Sequence, residues 1–445
     1  MNRQEIRAAI AIAVLFLVRM LGLFMILPVL PLLVDEMGTP FLIGVAIGIY
    51  GLSQAVLQIP MGLASDRYSR KLVITVGLGI FILGSLVGMF ADDMAWIILA
   101  RFLQGCGAIA STLFALVSDV TRIEHRSKAM AIIGAGIGVS FGVAIVIGPL
   151  IASYFGLSGI FAVSALMGGV GIALLWTIVP TPVSISTNLD TGVVVDKLKN
   201  TLLNTSLMPV NFGVFFLHYF LTSSFLVFPL MFRALGIDDQ SHSMYYLGIL
   251  LGSILLMVPF VWLSDRKGKS RIVMQGMIFT LSLGMLGLAV VEDKTLVVAS
   301  MVVFFIAFNL LETTLPAHMS RVVPAGTRGT GMGVYSSFQY LGTLFGGIVG
   351  GTILAYGDIT AVMYVNAGIG IVWFLLSFSL HSLNDIESRT ISLQSSVGSA
   401  DNKVLEGLLS VPGVLDVVIL EQERIAYLKI DSTSFKDADI QQFTR

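Results

Sequence analysis

The chain has 445 residues, of which 56% are hydrophobic and 12% charged, and its formal net charge is −1. Soluble proteins carry about 25% charged residues, so this composition excludes an ordinary soluble protein and indicates a bilayer as the solvent. The net charge says little about nucleic acid, and no nucleic-acid partner is expected. The single cysteine, Cys106, excludes disulfides within one chain and thiolate metal clusters, and we predict no metal and no cofactor.

Twelve apolar runs of about 20 residues, long enough to cross a bilayer as helices, follow one another along the first 381 residues. The first run begins near Ala8 and is longer than the core of a cleavable signal peptide, so we interpret it as a retained span. The predicted spans 1 to 12 are 8–33, 41–63, 72–91, 95–117, 129–153, 158–180, 210–235, 243–263, 272–291, 296–317, 329–355 and 359–381.

The basic residues of the loops predict the orientation of the chain. If both termini are cytoplasmic, nearly all loop Lys and Arg residues fall inside, and only Arg233 and Lys294 fall outside. This asymmetry is typical of a multi-pass protein with both ends on the cytoplasmic side, and the location expected of this chain is the bacterial inner membrane.

The polar segments divide the chain into four parts. Residues 1–180 form an N-terminal six-helix half, 181–208 a cytoplasmic linker, 209–381 a C-terminal six-helix half, and 382–445 a soluble cytoplasmic domain. The membrane part is therefore predicted to be all-α, with twelve transmembrane helices in two pseudo-symmetric halves.

The last part has the pattern of a small α+β domain. The strand and helix signals follow the order β-α-β-β-α, which is typical of a ferredoxin-like fold. The predicted strands are 390–393, 415–420 and 425–430, and the predicted helices are 403–409 and 435–443.

Two segments of the chain repeat at a constant offset. Asp66-Arg67 follows an apolar run containing Pro60, and Asp265-Arg266 follows one containing Pro259, with 199 positions between counterparts. His218 lies at the same offset from Arg19. A duplication of this size is typical of transporters whose two halves rock about a central site.

Four ionisable residues lie within the apolar spans, where a charge is costly unless it has a partner or faces a cavity. They are Arg19, Arg101, His218 and Glu312, in spans 1, 4, 7 and 10. A carboxylate that alternates between an apolar and a cationic environment binds and releases protons, so we predict that Glu312 carries a proton with Arg19 or His218 as partner. Each basic residue could instead only hold helices together.

Uncharged polar residues accompany these four. We predict that they line a substrate cavity, although each could equally form a bond between helices. They are Tyr50, Gln54, Gln58, Gln104, Asn211, Asn309 and Gln339.

Charged residues also cluster at the cytoplasmic ends of spans 2 to 4. Asp66, Arg70 and Asp119 are placed to form an ion-pair chain, and the positive N-terminal end of span 11 is placed to attract Asp66. If this contact exists in only one arrangement of the halves, it acts as a conformational latch. For the basic residues, fixing the topology is the alternative. The predicted latch residues are Gly62, Asp66, Arg67, Arg70, Lys71 and Asp119.

These residues resemble the major facilitator superfamily. Its loop signature, Gly-x-x-x-Asp-Arg-x-Gly-x-Arg/Lys, is met by the latch residues from Gly62 to Lys71, with Ser69 in place of the second glycine. Arg101-Phe-Leu-Gln104-Gly105-Cys-Gly107 resembles the span-4 signature of proton-coupled members, which implies a role for Arg101 in coupling. The span-5 antiporter signature is only partly present, because Gly148-Pro149 stands beside Ala144, Ala152 and Ser153.

The C-terminal domain narrows the resemblance. Twelve spans followed by this domain, with Val-Pro-Gly-Val at 411–414, are similar to the YajR-type group of drug/proton antiporters. The domain also resembles heavy-metal-associated domains, but those bind metal through Cys-x-x-Cys and no cysteine follows Cys106. Regulation or self-association is therefore the role expected of it.

The resemblance implies a proton-coupled transporter that exports a small amphipathic compound, and no enzymatic constellation is evident. The partners expected are a small-molecule substrate, protons and the bilayer. Two alternatives remain open: proton-coupled uptake of a nutrient, and a non-transporting sensor that signals through the C-terminal domain.

Overall fold

A computed structural model of the chain describes residues 1, 3–33, 38–122, 125–181, 195–264, 269–323, 328–379, 386–393, 402–420, 425–431, 434–440 and 443. Within them, eleven helical segments are long and apolar enough to cross a membrane. The helices that form the spans are Arg3–Phe24, Pro40–Arg67, Arg70–Met89, Met94–Cys106 with Ala110–Asp119, Arg126–Thr177, Met208–Phe225 with Phe228–Ala234, His242–Ser264, Ser270–Val290, Lys294–Val322, Arg328–Tyr356 and Ile359–Leu376.

The helix Arg126–Thr177 contains both predicted spans 5 and 6. Its 52 residues would reach about 78 Å if straight, more than twice the apolar thickness of a bilayer. Gly156 interrupts it with a φ of 64°. Gly136 lies against Ala13 and Gly148 against Met25, so this part of the helix runs along span 1 toward its far end. Gly171, after the interruption, lies against Leu15, so the second part runs in the opposite direction. The eleven segments therefore supply twelve spans.

Three spans are interrupted within their predicted extents. Span 1 is helical only to Phe24 and ends in a 3-10 helix at Leu30–Leu33, because Pro28 and Pro31 lack the N–H groups that an α-helix needs. Spans 4 and 7 are each broken. The second helix of span 7 starts at Phe228, with Pro229 in its first turn, where the missing N–H costs nothing.

The two halves pack against each other along spans 2 and 11. A Cβ atom added at Gly48 would lie 2.8 Å from the Leu344 carbonyl oxygen, and one added at Gly351 would lie 2.8 Å from that of Pro40. Only glycine permits backbones to approach this closely. The contact runs from the predicted outer end at Pro40 to Ala55, whose carbonyl accepts a hydrogen bond from Ser337 (3.4 Å).

A second contact joins the halves at the outer end. Arg233, in the last turn of the second helix of span 7, donates to the Leu32 carbonyl at the end of span 1 (3.0 Å). The same guanidinium pairs with Asp239 at 2.9 and 2.6 Å. These contacts hold the two halves together at this end.

The C-terminal domain contains a three-stranded antiparallel sheet of order β1-β3-β2, formed by β1 (Ile386–Ser392), β2 (Val414–Leu420) and β3 (Ile425–Asp431). The helix Asn402–Leu409 packs on β2 around Leu408 and Val417. The first strand starts four residues before its predicted position because Ile386 pairs with Asp431 at the far end of β3.

The predicted final helix at 435–443 is corrected by the structure. Its described part is a 3-10 helix at Asp437–Ile440. Nine residues are too few for an independent helix, and Phe435 and Phe443 both pack against the domain core, which shapes the segment. The ferredoxin-like fold of the whole domain remains a prediction.

The C-terminal domain contacts the membrane part at span 10. Lys429 on β3 donates through Nζ to the carbonyl of Val322, the last residue of the span-10 helix (2.6 Å). Burial lowers the pKa of Lys429, while nearby Asp416 raises it. Carbonyl groups at a helix C-terminus attract cations, which explains the choice of Lys.

We predict that Gly48→Val opens the outer side, because the added atoms collide with the Leu344 backbone. Gly79→Val is the matched control, since a Cβ there meets nothing within 4 Å. Spin labels at Phe41 and Tyr356, both exposed at the outer ends of spans 2 and 11, measure the separation. Gly48→Val should lengthen the distance relative to the control; equal distances would contradict this packing account.

Candidate functional site: a polar pathway within and between the halves

Arg101 fastens span 4 to the end of span 1. The side chain is fully buried, and Nη1 donates to the Gly22 carbonyl (3.0 Å) and to Gln104 (2.8 Å), while Nη2 donates to the Leu23 carbonyl (3.4 Å). The span-1 helix ends at Phe24, so these carbonyls have no partner farther along the helix. Gln104 continues the network to Ser85 on span 3 (2.8 Å).

Arg19 lies beside this network, almost completely buried. Its Nη2 atom donates to Gln54, whose amide nitrogen donates to Gln58 (3.1 Å). The Arg19 guanidinium carbon lies 5.1 Å from the Tyr50 ring centroid, and that of Arg101 lies 4.7 Å from the same centroid. Six of the predicted site residues, Arg19, Tyr50, Gln54, Gln58, Arg101 and Gln104, therefore gather in the N-terminal half.

Glu312, His218 and Gln339 form a second polar group, in the C-terminal half. Glu312 Oε2 lies 3.7 Å from His218 Nε2, and the Gln339 amide nitrogen lies 2.7 Å from the same Nε2. His218 Nδ1 lies 3.2 Å from the Val214 carbonyl. A carbonyl can only accept, so Nδ1 carries the hydrogen, and Nε2 accepts from Gln339 in a neutral imidazole.

This arrangement leaves Glu312 poised beside His218 without a hydrogen bond to it. Its Oε2 atom is buried and has no hydrogen-bond partner among the described residues, although 36% of the side chain is exposed. Of the two partners that the sequence suggested, the structure places His218 beside Glu312 and places Arg19 against Gln54 and Tyr50.

The two predicted asparagines have different surroundings. Asn309 on span 10 donates to Ser253 on span 8 (3.2 Å), which is a bond between helices. Asn211 lies two turns before His218 on span 7, fully buried, and neither its amide nitrogen nor its oxygen has a partner among the described residues.

Sequence analysis missed Tyr340 and Phe81. Tyr340 of span 11 belongs to the same buried cluster as Tyr50, and Phe81 lies under the Arg19 guanidinium (5.3 Å). Both lie in apolar runs, where an aromatic residue gives no anomaly in composition. The one sequence feature that could have indicated Tyr340 is its hydroxyl, which follows the polar residue Gln339 directly.

The cytoplasmic cluster contains a buried ion pair. Arg70 Nε lies 3.0 Å from Asp119 Oδ2, as the sequence predicted. Arg70 Nη1 also donates to Ser65 (2.7 Å), and the sequence did not suggest this hydrogen bond. Lys71 instead lies 5.3 Å from the Trp176 ring centroid, and Arg67 is exposed. Gly62 packs against Ser111 of span 4.

The side chain of Asp66 lies outside the described part of the chain, so its attraction to span 11 remains a prediction. The repeated segment of the other half, Asp265-Arg266, also lies outside the described residues.

Comparison with known proteins agrees with this architecture. The Major Facilitator Superfamily matches residues 12–210 and 210–415, and the YajR YAM domain matches residues 391–445. The chain is 37% identical to the inner membrane transport protein YajR of Escherichia coli (strain K12), covering 100% of this chain and 98% of that protein. It is 24% identical to multidrug resistance protein 2 of Bacillus subtilis (strain 168), covering 84% and 96%.

Solved structures agree on the fold. A bacterial homolog to the human lysosomal transporter Spinster, in an inward-facing and occupied conformation, superposes with a TM-score of 0.68 at 13% identity, covering 86% of this chain and 99% of that one. The chain therefore belongs to the Major Facilitator Superfamily and carries a YajR YAM domain at its C-terminal end.

Proposed function

We propose that this chain is a proton-coupled transporter of the bacterial inner membrane that exports a small amphipathic compound. The observation that carries the proposal is the position of Glu312 beside His218, whose ring also contacts Gln339, inside the apolar bundle. The names of two relatives, an inner membrane transport protein and a multidrug resistance protein, support the location and the direction.

Alternating access is the mechanism that the packing supports. The halves, 1–180 and 209–381, meet through the glycine contact of spans 2 and 11 and through Arg233 at the outer end. Parting these contacts while the cytoplasmic ends approach each other converts the structure to one open outward.

A proton on Glu312 or His218 changes the hydrogen bonds at this point. A protonated His218 can donate from Nε2 to Glu312, but it then repels the Gln339 N–H, so the amide must turn its oxygen toward the ring. Gln339 lies on span 11, which also packs against the other half. Protonation is thereby linked to the element that moves.

Arg101 acts in this scheme by joining elements within the N-terminal half. It connects span 4 to the carbonyls of span 1, and through Gln104 to span 3. We propose that the N-terminal half moves as one rigid body. A rearrangement of span 11 then changes the contact between the two halves at the outer end.

We predict that Glu312→Gln abolishes proton-driven flux while leaving exchange intact, because the amide keeps the shape but cannot carry a proton. Proteoliposomes with an imposed pH gradient and three dyes, cationic rhodamine 6G, neutral N-phenyl-1-naphthylamine and anionic sulforhodamine B, provide the assay. Glu292→Gln, in an exposed outer loop, is the matched control.

Coupled flux in the Glu312→Gln protein equal to that of the control would contradict the role of Glu312. The direction of flux decides between the two transport hypotheses. A gradient that concentrates the dye on the side of the higher pH, together with the protons, indicates uptake by symport, and the opposite movement indicates antiport.

The Arg70–Asp119 pair is proposed as the fixed part of the latch. Since both side chains are buried, Asp119→Asn should remove the carboxylate that compensates the Arg70 charge at this contact and lower the free energy of unfolding by about 3–5 kcal/mol. Glu5→Gln should cost about 1 kcal/mol, because its partner Arg122 is 60% exposed. Thermal unfolding in detergent measures both changes. Equal losses of stability in the two variants would contradict the difference expected between the buried and the exposed ion pair.

The C-terminal domain is proposed to regulate span 10, the helix that carries Glu312 and ends at the Lys429 contact. Removal of residues 382–445 should leave the flux of the membrane part detectable and alter its rate. Complete loss of flux from folded, membrane-inserted protein would favour the sensor hypothesis. Lys429→Met, which removes only the contact, should reproduce the rate change.

A further inference from the structure

Arg19 and Arg101 form a pair of buried cations with unused hydrogen-bond donors. Nε and Nη1 of Arg19 and Nε of Arg101 are buried and have no hydrogen-bond partner among the described residues. Both guanidinium carbons lie about 5 Å from the Tyr50 ring centroid, so they are at most about 10 Å apart.

The carboxylates of the membrane part are engaged elsewhere. In the described part of the chain, Asp119 pairs with Arg70, Glu5 with Arg122, and Glu312 lies beside His218. Neither Arg19 nor Arg101 forms a salt bridge to a described carboxylate. Two like charges in an apolar region without an anion repel each other and lack the compensation that buried charges require.

The two arginines have different surroundings. The Arg101 guanidinium donates three hydrogen bonds, to Gln104 and to the carbonyls at the end of span 1, so most of its donors have a structural role. Among the described residues, the recorded partners of Arg19 are neutral: Gln54 and the rings of Tyr50 and Phe81. Its unpartnered Nε and Nη1 lie on different edges of the guanidinium, and each can donate a charge-assisted hydrogen bond to an oxygen of an anionic group.

We propose that the exported compound carries an anionic group, a carboxylate in the simplest case, which binds to Arg19 with Arg101 as the second cation. The aromatic rings of Tyr50 and Phe81 beside it suit a planar apolar body on the same molecule. This substrate class rests on the proposed transport function and deepens it.

The proton and the anionic substrate bind at separate places in this scheme. The proton is carried in the C-terminal half at Glu312, and the anion in the N-terminal half at Arg19. Tyr340 of span 11 shares a buried cluster with Tyr50, so the parting of spans 2 and 11 changes what covers the anion site. An inside-negative membrane potential also favours outward movement of an anion.

Calorimetric titration of the purified full-length protein tests the site without requiring transport. The probes are benzoate and 2-naphthoate, their neutral isosteres benzamide and 2-naphthamide, and the cation 2-naphthylmethylammonium. Charge-assisted bonds should make at least one carboxylate bind about tenfold or more tightly than its amide. The absence of carboxylate binding, equal affinities, or preference for the cation would overturn the proposal.

Variants assign the effect to Arg19. Arg19→Gln should remove the preference for the carboxylate, and Arg19→Lys, which keeps the charge but not the fork, should retain part of it. Arg321→Gln, at an exposed position, is the matched control and should bind as the wild type does. Monodisperse elution shows which variants are folded, and a folded Arg19→Gln protein with an unchanged preference contradicts the assignment.

The same proteins separate this inference from the proposed function. A carboxylate preference that depends on Arg19, in a protein that shows no proton-driven flux, would support the anion site and contradict proton-coupled export. Proton-driven flux of neutral and cationic dyes only, without a carboxylate preference, would support proton-coupled export and contradict the anion site.

Discussion

The cost of placing charge in an apolar bundle is the constraint on which the membrane part depends. Arg101 shows how the chain meets it: the guanidinium donates to the carbonyls of Gly22 and Leu23, which the end of the span-1 helix leaves without partners. The charge and the helix end stabilise each other, and spans 1, 3 and 4 become connected. Replacing either group alone would leave the other buried and unpaired.

The two halves meet this constraint differently although they share a duplicated plan. At matching positions of spans 1 and 7, Arg19 lies over aromatic rings and His218 lies beside Glu312. One half therefore buries two cations, and the other places a carboxylate beside a histidine. On the proposed function, this divergence lets a duplicated scaffold bind two different ligands.

The sequence predicted the large features because they follow from composition and periodicity. The series of apolar helices, the small C-terminal sheet and the pairing of Arg70 with Asp119 could all be deduced, whereas the bounds of the two halves and of the soluble domain remain predictions. The end of span 1 and the last element of the C-terminal domain were predicted wrongly, because Pro28 and the packing of Phe435 and Phe443 override local pattern. Neither Tyr340 nor the glycine contact at Gly48 could be predicted, since only the approach of the two halves defines them.

The central claim is that Glu312 exchanges a proton within the bundle. Infrared difference spectroscopy of the protein in lipid, recorded during a pH titration, detects the C=O stretch of a protonated carboxyl group directly. The account predicts a band that appears and disappears across the pH range of coupled flux and is lost in Glu312→Gln. A Glu312 carboxyl that keeps one protonation state throughout that range would contradict it.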